Sequence, residues 1–509
     1  MDKLKHMIHH RKRSTSQPFS LSTLRHWAVS FVVCDFNVDV GPEVLFVYPP
    51  DTAFSQADLT AICFNSFPEQ QNPEMGEDLN FHFTLRNRSP DILLGSPCPP
   101  YGSPNSFYCN CVFRQEFDRN TKRRFNQKSL VLVSNHNFPA FFTKVLHLMT
   151  AGGILCDPTT FEVACSQISS WPPPSVGRLE LPFLGSLLVL EIAPHLGFPL
   201  QGLVSARLHH AETISQPIYA YQPITSWANL VSFFPSLSEL YTVFERMLLC
   251  ENIIVIAKSP QLCSHVVSGL VDLIKPIPYA GDVKPYVTMQ SEFCVAGFNG
   301  GTSRHFIVGI TNPFLLQRIL NAAEASQSST PYVIYLQKSN SPVPVKLYRS
   351  QLACPPGFDI PGGIPSNLDV KKHLKPDRAF LQNLDSNLRA GQAIPDTVGP
   401  LIRRHFAELT AQFLAPILRY LATGMASNVK SPGGNLQYPN FSEADFLSSL
   451  AKHGTSVKFR GQGPLQRHRM RDALYTEFCR SPNFYSHLEM KLSLEREASA
   501  GLLNHSGPT

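Results

Sequence analysis

The run Ile253-Ile254-Val255-Ile256-Ala257 leaves few places in a fold where it can sit. It lacks the alternation of a strand with one wet face, and its β-branched residues favour a strand covered on both faces, as in a parallel α/β sheet. Ser259-Pro260 follows at once, a capping hydroxyl and a first-turn proline. Val266, Val267, Leu270, Val271 and Ile274 then recur at helical spacing until Pro276, so the stretch is a βα unit. Many such units cradle phosphate, which requires glycines in the turn so that backbone N–H groups can approach the charge. Here the turn is Lys258-Ser259-Pro260-Gln261, with no glycine and with a donor position taken by proline. Gly297-Phe298-Asn299-Gly300-Gly301-Thr302 is glycine-rich but lacks the Lys-Ser/Thr pair of a P-loop, and it reads as a turn between strands. The chain is expected to bind no nucleotide of its own.

The surrounding region, 183–340, repeats this logic. A helix is predicted over Ser236–Leu249 with a capping-box pair, Ser236 and Glu239. Strands follow near Tyr286–Met289 and at Phe306–Thr311 and Tyr332–Leu336, with a helix from Pro313. Alternating strands and helices predict a mostly parallel, doubly wound α/β module whose loops at the strand ends, Tyr279–Pro285 and Thr311–Phe314, carry its work. Upstream, 27–168 reads as strand, strand, helix, three strands, helix. A hairpin turns at Asn37–Gly41, a helix covers Gln56–Phe64, strands cover Leu79–Arg86, Phe107–Phe117 and Leu130–Ser134, and a second helix covers Phe138–Met149. An antiparallel sheet packed by helices is the expectation, in the order of a longin-type domain. Three consecutive prolines in 169–182 mark a stiff linker between the two modules. Residues 341–395 read as an irregular connection, 396–492 as a helical module with Pro416 kinking or breaking its first helix late, and 493–509 as a fraying tail.

With 509 residues, 43% apolar and 16% charged, the chain is a multi-domain globular protein. No apolar run reaches the roughly 18 residues of a membrane span, and no apolar stretch of secretory type follows the basic N-terminus. Twelve scattered cysteines suit buried, reduced thiols in a cytosolic protein. Cys109 and Cys111 share one side of a predicted strand but have no second Cys/His pair at metal spacing, and the adjacent pairs His9-His10 and His209-His210 diverge, so no metal is expected. The net charge is +6, of which Met1–His26 carries +5. That basic head, 1–26, is either a solubilising tail or a peripheral contact for anionic membrane, which phosphorylation of its serines would weaken. No basic and aromatic stripe runs through a folded element, which argues against nucleic acid.

No nucleophile elbow, HExxH, paired CxxC, kinase signature or Walker sequence occurs. Asp35, Asp39 and Glu43 near the first hairpin are explained by strand alternation and turn chemistry, and Ser264-His265 has no third partner. The residues alone describe a multi-domain α/β interaction protein.

Seven words of sequence carry more: "FNVDVGPEVLFVYP" (36–49), "AICFNSFPE" (61–69), "IIVIAKSP" (253–260), "IKPIPYAGDVKPYVTMQSEF" (274–293), "VGITNPFLLQ" (308–317), "IRRHFAELTAQFLAPILRYL" (402–421) and "CRSPNF" (479–484). In these words, and in its module order, the chain resembles the tripartite DENN domain, specifically the DENN domain-containing protein 6 type related to the fungal Avl-nine and Afi-one proteins. The basic head, the loop from Pro68 to Asp78 and the insertion from Pro355 to Ser366 depart from the pattern.

The resemblance implies a longin-like upstream module, a central DENN α/β module and a helical downstream module. It also implies a guanine-nucleotide exchange factor for a Rab small GTPase, held by its switch regions between the first two modules, with no cofactor and no covalent chemistry. Relatives of this type act on an endosomal Rab, number fourteen, so a cytoplasmic protein recruited to endosomal or secretory membranes is expected. Candidate Rab-binding residues are Asp282, Lys284 and an aromatic anchor, Tyr286, with Asn312 and Phe314 after the next strand and Asp39 and Glu43 from the first hairpin. A non-catalytic adaptor or tether for a GTP-loaded GTPase is the alternative, and a conventional small-substrate enzyme is a third reading.

Overall fold

A computed structural model describes residues 19–50, 54–69, 75–87, 106–119, 121, 123–154, 157–193, 217–291, 305–326, 329–336, 371–390, 395–428 and 441–504. The basic residues before position 19, Gly297–Thr302, Pro355–Ser366 and both adjacent histidine pairs lie outside the described residues.

Strands β1 (Ser30–Asn37), β2 (Gly41–Tyr48), β3 (Asp78–Arg86), β4 (Ser106–Phe117) and β5 (Phe125–Ser134) form an antiparallel sheet in the order β2-β1-β5-β4-β3. Alternation divides its side chains cleanly. Val32, Cys34, Cys109, Cys111 and Phe113 face helix α1 (Gln56–Asn65), while Phe31, Val33, Val112, Leu130 and Leu132 face α2 (Pro139–Thr150) and α3 (Pro158–Ser169). Helix α1 starts in a capping box: Ser55 Oγ accepts the Asp58 N–H at 3.1 Å, and the Asp58 carboxylate accepts the Ser55 N–H at 3.0 Å.

After the prolines the chain builds a small sheet that the sequence reading missed. Strands β6 (Gly177–Phe183) and β7 (Ser186–Ile192) make a hairpin around Leu184-Gly185, and β8 (Ile218–Tyr219) pairs parallel to β7. Both loop residues take positive φ, which suits a two-residue hairpin turn. Trp171 ties the proline segment down, its indole N–H donating to the Pro182 carbonyl while its ring meets Trp27 edge-on at 5.5 Å.

The run that opened the sequence reading is β9 (Ile253–Ile256), an inner strand of a wholly parallel sheet with the order β10-β11-β9-β12. Its partners are β10 (Asp282–Lys284), β11 (Phe306–Ile310) and β12 (Tyr332–Tyr335). Helix α5 (Pro260–Leu273), capped by Ser259, covers the Ile253 and Val255 face, and α6 (Pro313–Ala325) covers the Ile254 and Ile256 face. Two local expectations are corrected. Helix α4 (Glu239–Leu248) has no capping box, because Ser236 offers its carbonyl, not its hydroxyl, to the Glu239 N–H. The edge strand is Asp282–Lys284, not Tyr286–Met289; the latter segment crosses the end of β11, with the Val287 N–H on the Gly309 carbonyl at 3.0 Å. Only glycine permits that crossing, since a Cβ at position 309 would stand 2.2 Å from the Pro285 carbonyl oxygen.

Helices α7 (Arg378–Ala390), α8 (Pro395–Asn428), α9 (Glu443–His453), α10 (Pro464–Cys479) and α11 (Pro482–Asn504) complete the fold. Helix α8 runs unbroken through Pro400 and Pro416, so Pro416 does not break it; Phe413, Leu414 and Ile417 are buried there, and Phe413 stacks on Tyr475 at 4.5 Å, so tertiary packing outweighs the helical hydrogen bonds that the two prolines cannot make. Helix α11 carries the chain through positions first read as tail, to Asn504. One apolar cluster extends from Val32 in β1 through α5 to Phe406, Tyr475 and Phe484, so the antiparallel sheet, the parallel sheet and the helices share a core.

Candidate functional site

The parallel sheet and the antiparallel sheet meet along β3 and α5. The Asn80 N–H donates to Gln261 Oε1 at 3.1 Å, His82 Nε2 lies 2.8 Å from Ser268 Oγ, and Thr84 Oγ1 donates to the Val283 carbonyl at 3.1 Å. His82 and His265 are both buried in this seam. Burial, aided by the neighbouring His265, pushes His82 down to about 3, and burial pushes His265 down to about 4, so both are neutral at physiological pH.

At the carboxyl end of the parallel strands the seam is closed by Glu69, the last residue of the word "AICFNSFPE". Its N–H donates to the Tyr286 hydroxyl at 2.9 Å and its carbonyl accepts from Thr311 Oγ1 at 2.6 Å. Its carboxylate accepts the Met289 N–H at 2.8 Å and Asn312 Nδ2 at 3.4 Å. Burial raises the Glu69 carboxyl above its ordinary value, and the Met289 and Asn312 donors oppose that rise. One residue of the first module thus satisfies four groups of the second, and sequence periodicity gave no sign of it.

The predicted site residues separate into three places. Tyr286 is not a surface anchor: it is 1% exposed, its ring stands edge-on to Phe81 at 5.4 Å, and its hydroxyl is occupied by Glu69. Asp282 and Lys284 lie half-buried on β10 and line a cleft of ≈ 970 Å³ between β3, α5 and α11. Lys275 lies partly buried in the wall of that cleft, held by Asp272 at 2.7 Å and by the Tyr221 carbonyl at 2.6 Å; Arg403 reaches the same carboxylate at 2.8 Å. Burial lowers the Lys275 ammonium from its usual value, and Asp272 resists that shift.

Asn312 and Phe314 are found in the third place, beside Glu69, with Asp39 and Glu43 on the β1–β2 hairpin of the first module. Asn312 caps α6, its Oδ1 accepting the Phe314 N–H at 3.0 Å, and the Phe314 ring is 66% exposed. Asp39 is exposed in the β1–β2 turn, where its N–H donates to Asn37 Oδ1, and Glu43 accepts from Asn37 Nδ2 at 3.3 Å. The hairpin connects to the latch through Phe36, whose ring meets Phe67 at 5.8 Å two residues before Glu69. Reasoning from sequence did not anticipate the apolar residues exposed at the same end of the antiparallel sheet. Val40 is 76% exposed, Phe117 62%, and Val38 and Met75 nearly half. Among the described residues no group of three or more His, Cys, Asp or Glu side chains could hold a metal ion. The arrangement is a shaped, mixed polar and apolar surface carried by two sheets held together, the makings of a docking site.

No family model matches the chain. It is 28% identical over 478 residues to Protein DENND6A of Gallus gallus, covering 90% of this chain and 78% of that protein. It is 28% identical over 501 residues to Protein DENND6B of Homo sapiens, covering 92% and 80%. A third relative is the Protein DENND6 homolog of Dictyostelium discoideum, 27% identical over 461 residues, 78% of this chain and 62% of that protein. Similarity sustained over most of the chain, in all three of these relatives, agrees with the seven sequence words and supports a likeness to proteins of the DENN domain-containing protein 6 type.

Proposed function

We propose that this protein is a guanine-nucleotide exchange factor for a Rab small GTPase. In this reading the antiparallel-sheet module is the longin-like upstream part of a DENN domain, the parallel-sheet module its centre and the helices its downstream part. The observation that supports it most is the Glu69 latch: two sheets are locked into one body, with Asn312 and Phe314 of the second module beside the latch and Asp39, Glu43, Val40 and Phe117 at the hairpin end of the first module's sheet. A surface assembled before its partner arrives loses little ordering entropy on binding and can hold a mobile switch segment in one conformation.

Exchange on such a surface needs no acid, base or metal from the protein. The exchange factor binds the nucleotide-free GTPase more tightly than the GDP-bound form, and that difference lowers the barrier to GDP release. The rim beside Glu69 makes the first contact, and Asp282 and Lys284 in the cleft along β10 add polar contacts. The Rab fourteen type is the first candidate partner, encountered on endosomal or secretory membranes. Phe314→Asp, on a ring that packs against little in the free protein, is expected to slow GDP release at least tenfold with the melting transition unchanged, a loss within the range of a central hot spot. Unchanged release from a responsive Rab would remove the rim from the proposal; binding restricted to GTP-loaded Rab would replace exchange by an adaptor role.

A further inference from the structure

Between Asp445 and Asp472 the sequence holds no acidic residue, while Lys452, Lys458, Arg460, Arg467, Arg469 and Arg471 fall within it. The fold concentrates this charge further. Leu374 and Phe459 form an antiparallel bridge, with the Lys375 N–H on the Lys458 carbonyl at 2.9 Å and the Arg460 N–H on the His373 carbonyl at 2.8 Å. Leu374 and Phe459 point into the core, which turns Lys375 and Lys458 outward side by side. Like charges directly opposite across a strand pair are destabilising, so the fold carries a local cost here.

Further cations flank this pair. Arg460 is fixed by its Nε on the Leu374 carbonyl at 2.9 Å, and Gly461 abuts the first turn of α10, where a Cβ would stand 2.9 Å from the Arg467 backbone nitrogen. Lys371, Lys375, Lys458, Arg460, Arg467 and Arg469 are all exposed, and among the described residues none has a carboxylate within ion-pair distance. Leu465, 78% exposed, projects from the same first turn. The chain beyond its basic head carries only +1 net, so this patch is a local excess of one sign.

We propose that this patch, on the helical part of the molecule, docks the protein on an anionic lipid bilayer, with Lys375, Lys458, Arg460 and Arg467 nearest the headgroups and Lys371, Arg469 and Leu465 at its margins. Unpaired cations spread over an exposed surface suit a sheet of diffuse negative charge, and a single protruding leucine suits the headgroup boundary. The patch offers no exposed aromatic ring on which a base would stack, which disfavours nucleic acid.

Cosedimentation of the full chain with phosphatidylcholine vesicles, with and without phosphatidylserine, tests this. Binding is expected only to the anionic vesicles and to fall with salt. At roughly fivefold per cation near an anionic surface, the variant Lys375→Gln/Lys458→Gln/Arg467→Gln should bind on the order of a hundredfold more weakly. Relief of the Lys375 and Lys458 opposition should leave its melting temperature equal to the parent's or higher. The comparison variant is Arg11→Gln/Lys12→Gln/Arg13→Gln in the basic head. Full retention of binding by the patch variant, its loss in the head variant alone, or equal binding to neutral vesicles would each overturn the proposal. So would binding of an acidic polyglutamate peptide by a protein that ignores both kinds of vesicle.

Discussion

Truncating Tyr286 separates a surface hot spot from a buried keystone. The ring is 1% exposed and packed against Phe81, so Tyr286→Ala opens a cavity whose cost, for a buried aromatic, is about 3–5 kcal/mol. The Glu69 N–H, 2.9 Å from the hydroxyl, also loses its partner, which adds about 1–3 kcal/mol. Tyr286→Phe keeps the ring and removes the hydroxyl with its contacts to Glu69 and Thr311, and should cost about 1–3 kcal/mol. Denaturant unfolding followed by tryptophan fluorescence reads both, because Trp227 belongs to the same core cluster as Tyr286. The expected order is parent, then Phe, then Ala with a much lower midpoint, and exchange activity should follow the fraction folded. An Ala variant with the parent's midpoint and lost activity would refute the reasoning and return Tyr286 to the partner surface.

Glu69→Ala leaves the Met289 N–H without its acceptor and should speed hydrogen exchange at Met289 by roughly 5–30-fold, the equivalent of about 1–2 kcal/mol of local opening; Glu69→Gln keeps an acceptor and should exchange near the parental rate. Asp272→Ala strands the partly buried Lys275 and Arg403 and should destabilise by about 1–3 kcal/mol in denaturant unfolding, whereas an unchanged midpoint would mean that water solvates both cations. His82 and His265 have folded-state values of about 3 and about 4, below the value of an unfolded histidine, so the unfolded chain takes up protons first as pH falls. The stability they contribute is whole above the unfolded histidine pKa and is lost as pH falls from there toward the folded values; a His82→Gln/His265→Gln variant should show a flatter dependence of unfolding midpoint on pH over that range.

What could be read from the sequence followed the range of the interactions. The buried strand Ile253–Ile256 and its capped helix were legible because their determinants are consecutive residues. The edge strand Asp282–Lys284 was displaced onto Tyr286–Met289 because the latter has the better β-formers, while an edge strand of three residues with polar ends carries almost no pattern. The β6–β7 hairpin was hidden by the prolines that precede it, although Leu179, Leu181 and Phe183 alternate. The latch was out of reach altogether: Glu69 and Tyr286 are 217 residues apart, and an acidic residue in a loop looks solvated until its partners are placed. For Asn312 and Phe314 the sequence indicated the position after a strand, and the structure supplied the cap and the exposed ring.

Release of fluorescent GDP from a panel of purified Rabs, with the full chain at low stoichiometry and GTP in excess, tests the exchange proposal most directly. The account predicts catalytic release from one or two Rabs, the fourteen type first, with tighter binding to the nucleotide-free GTPase than to the GDP form. No acceleration from any Rab, together with selective binding of a GTP-loaded one, would contradict it.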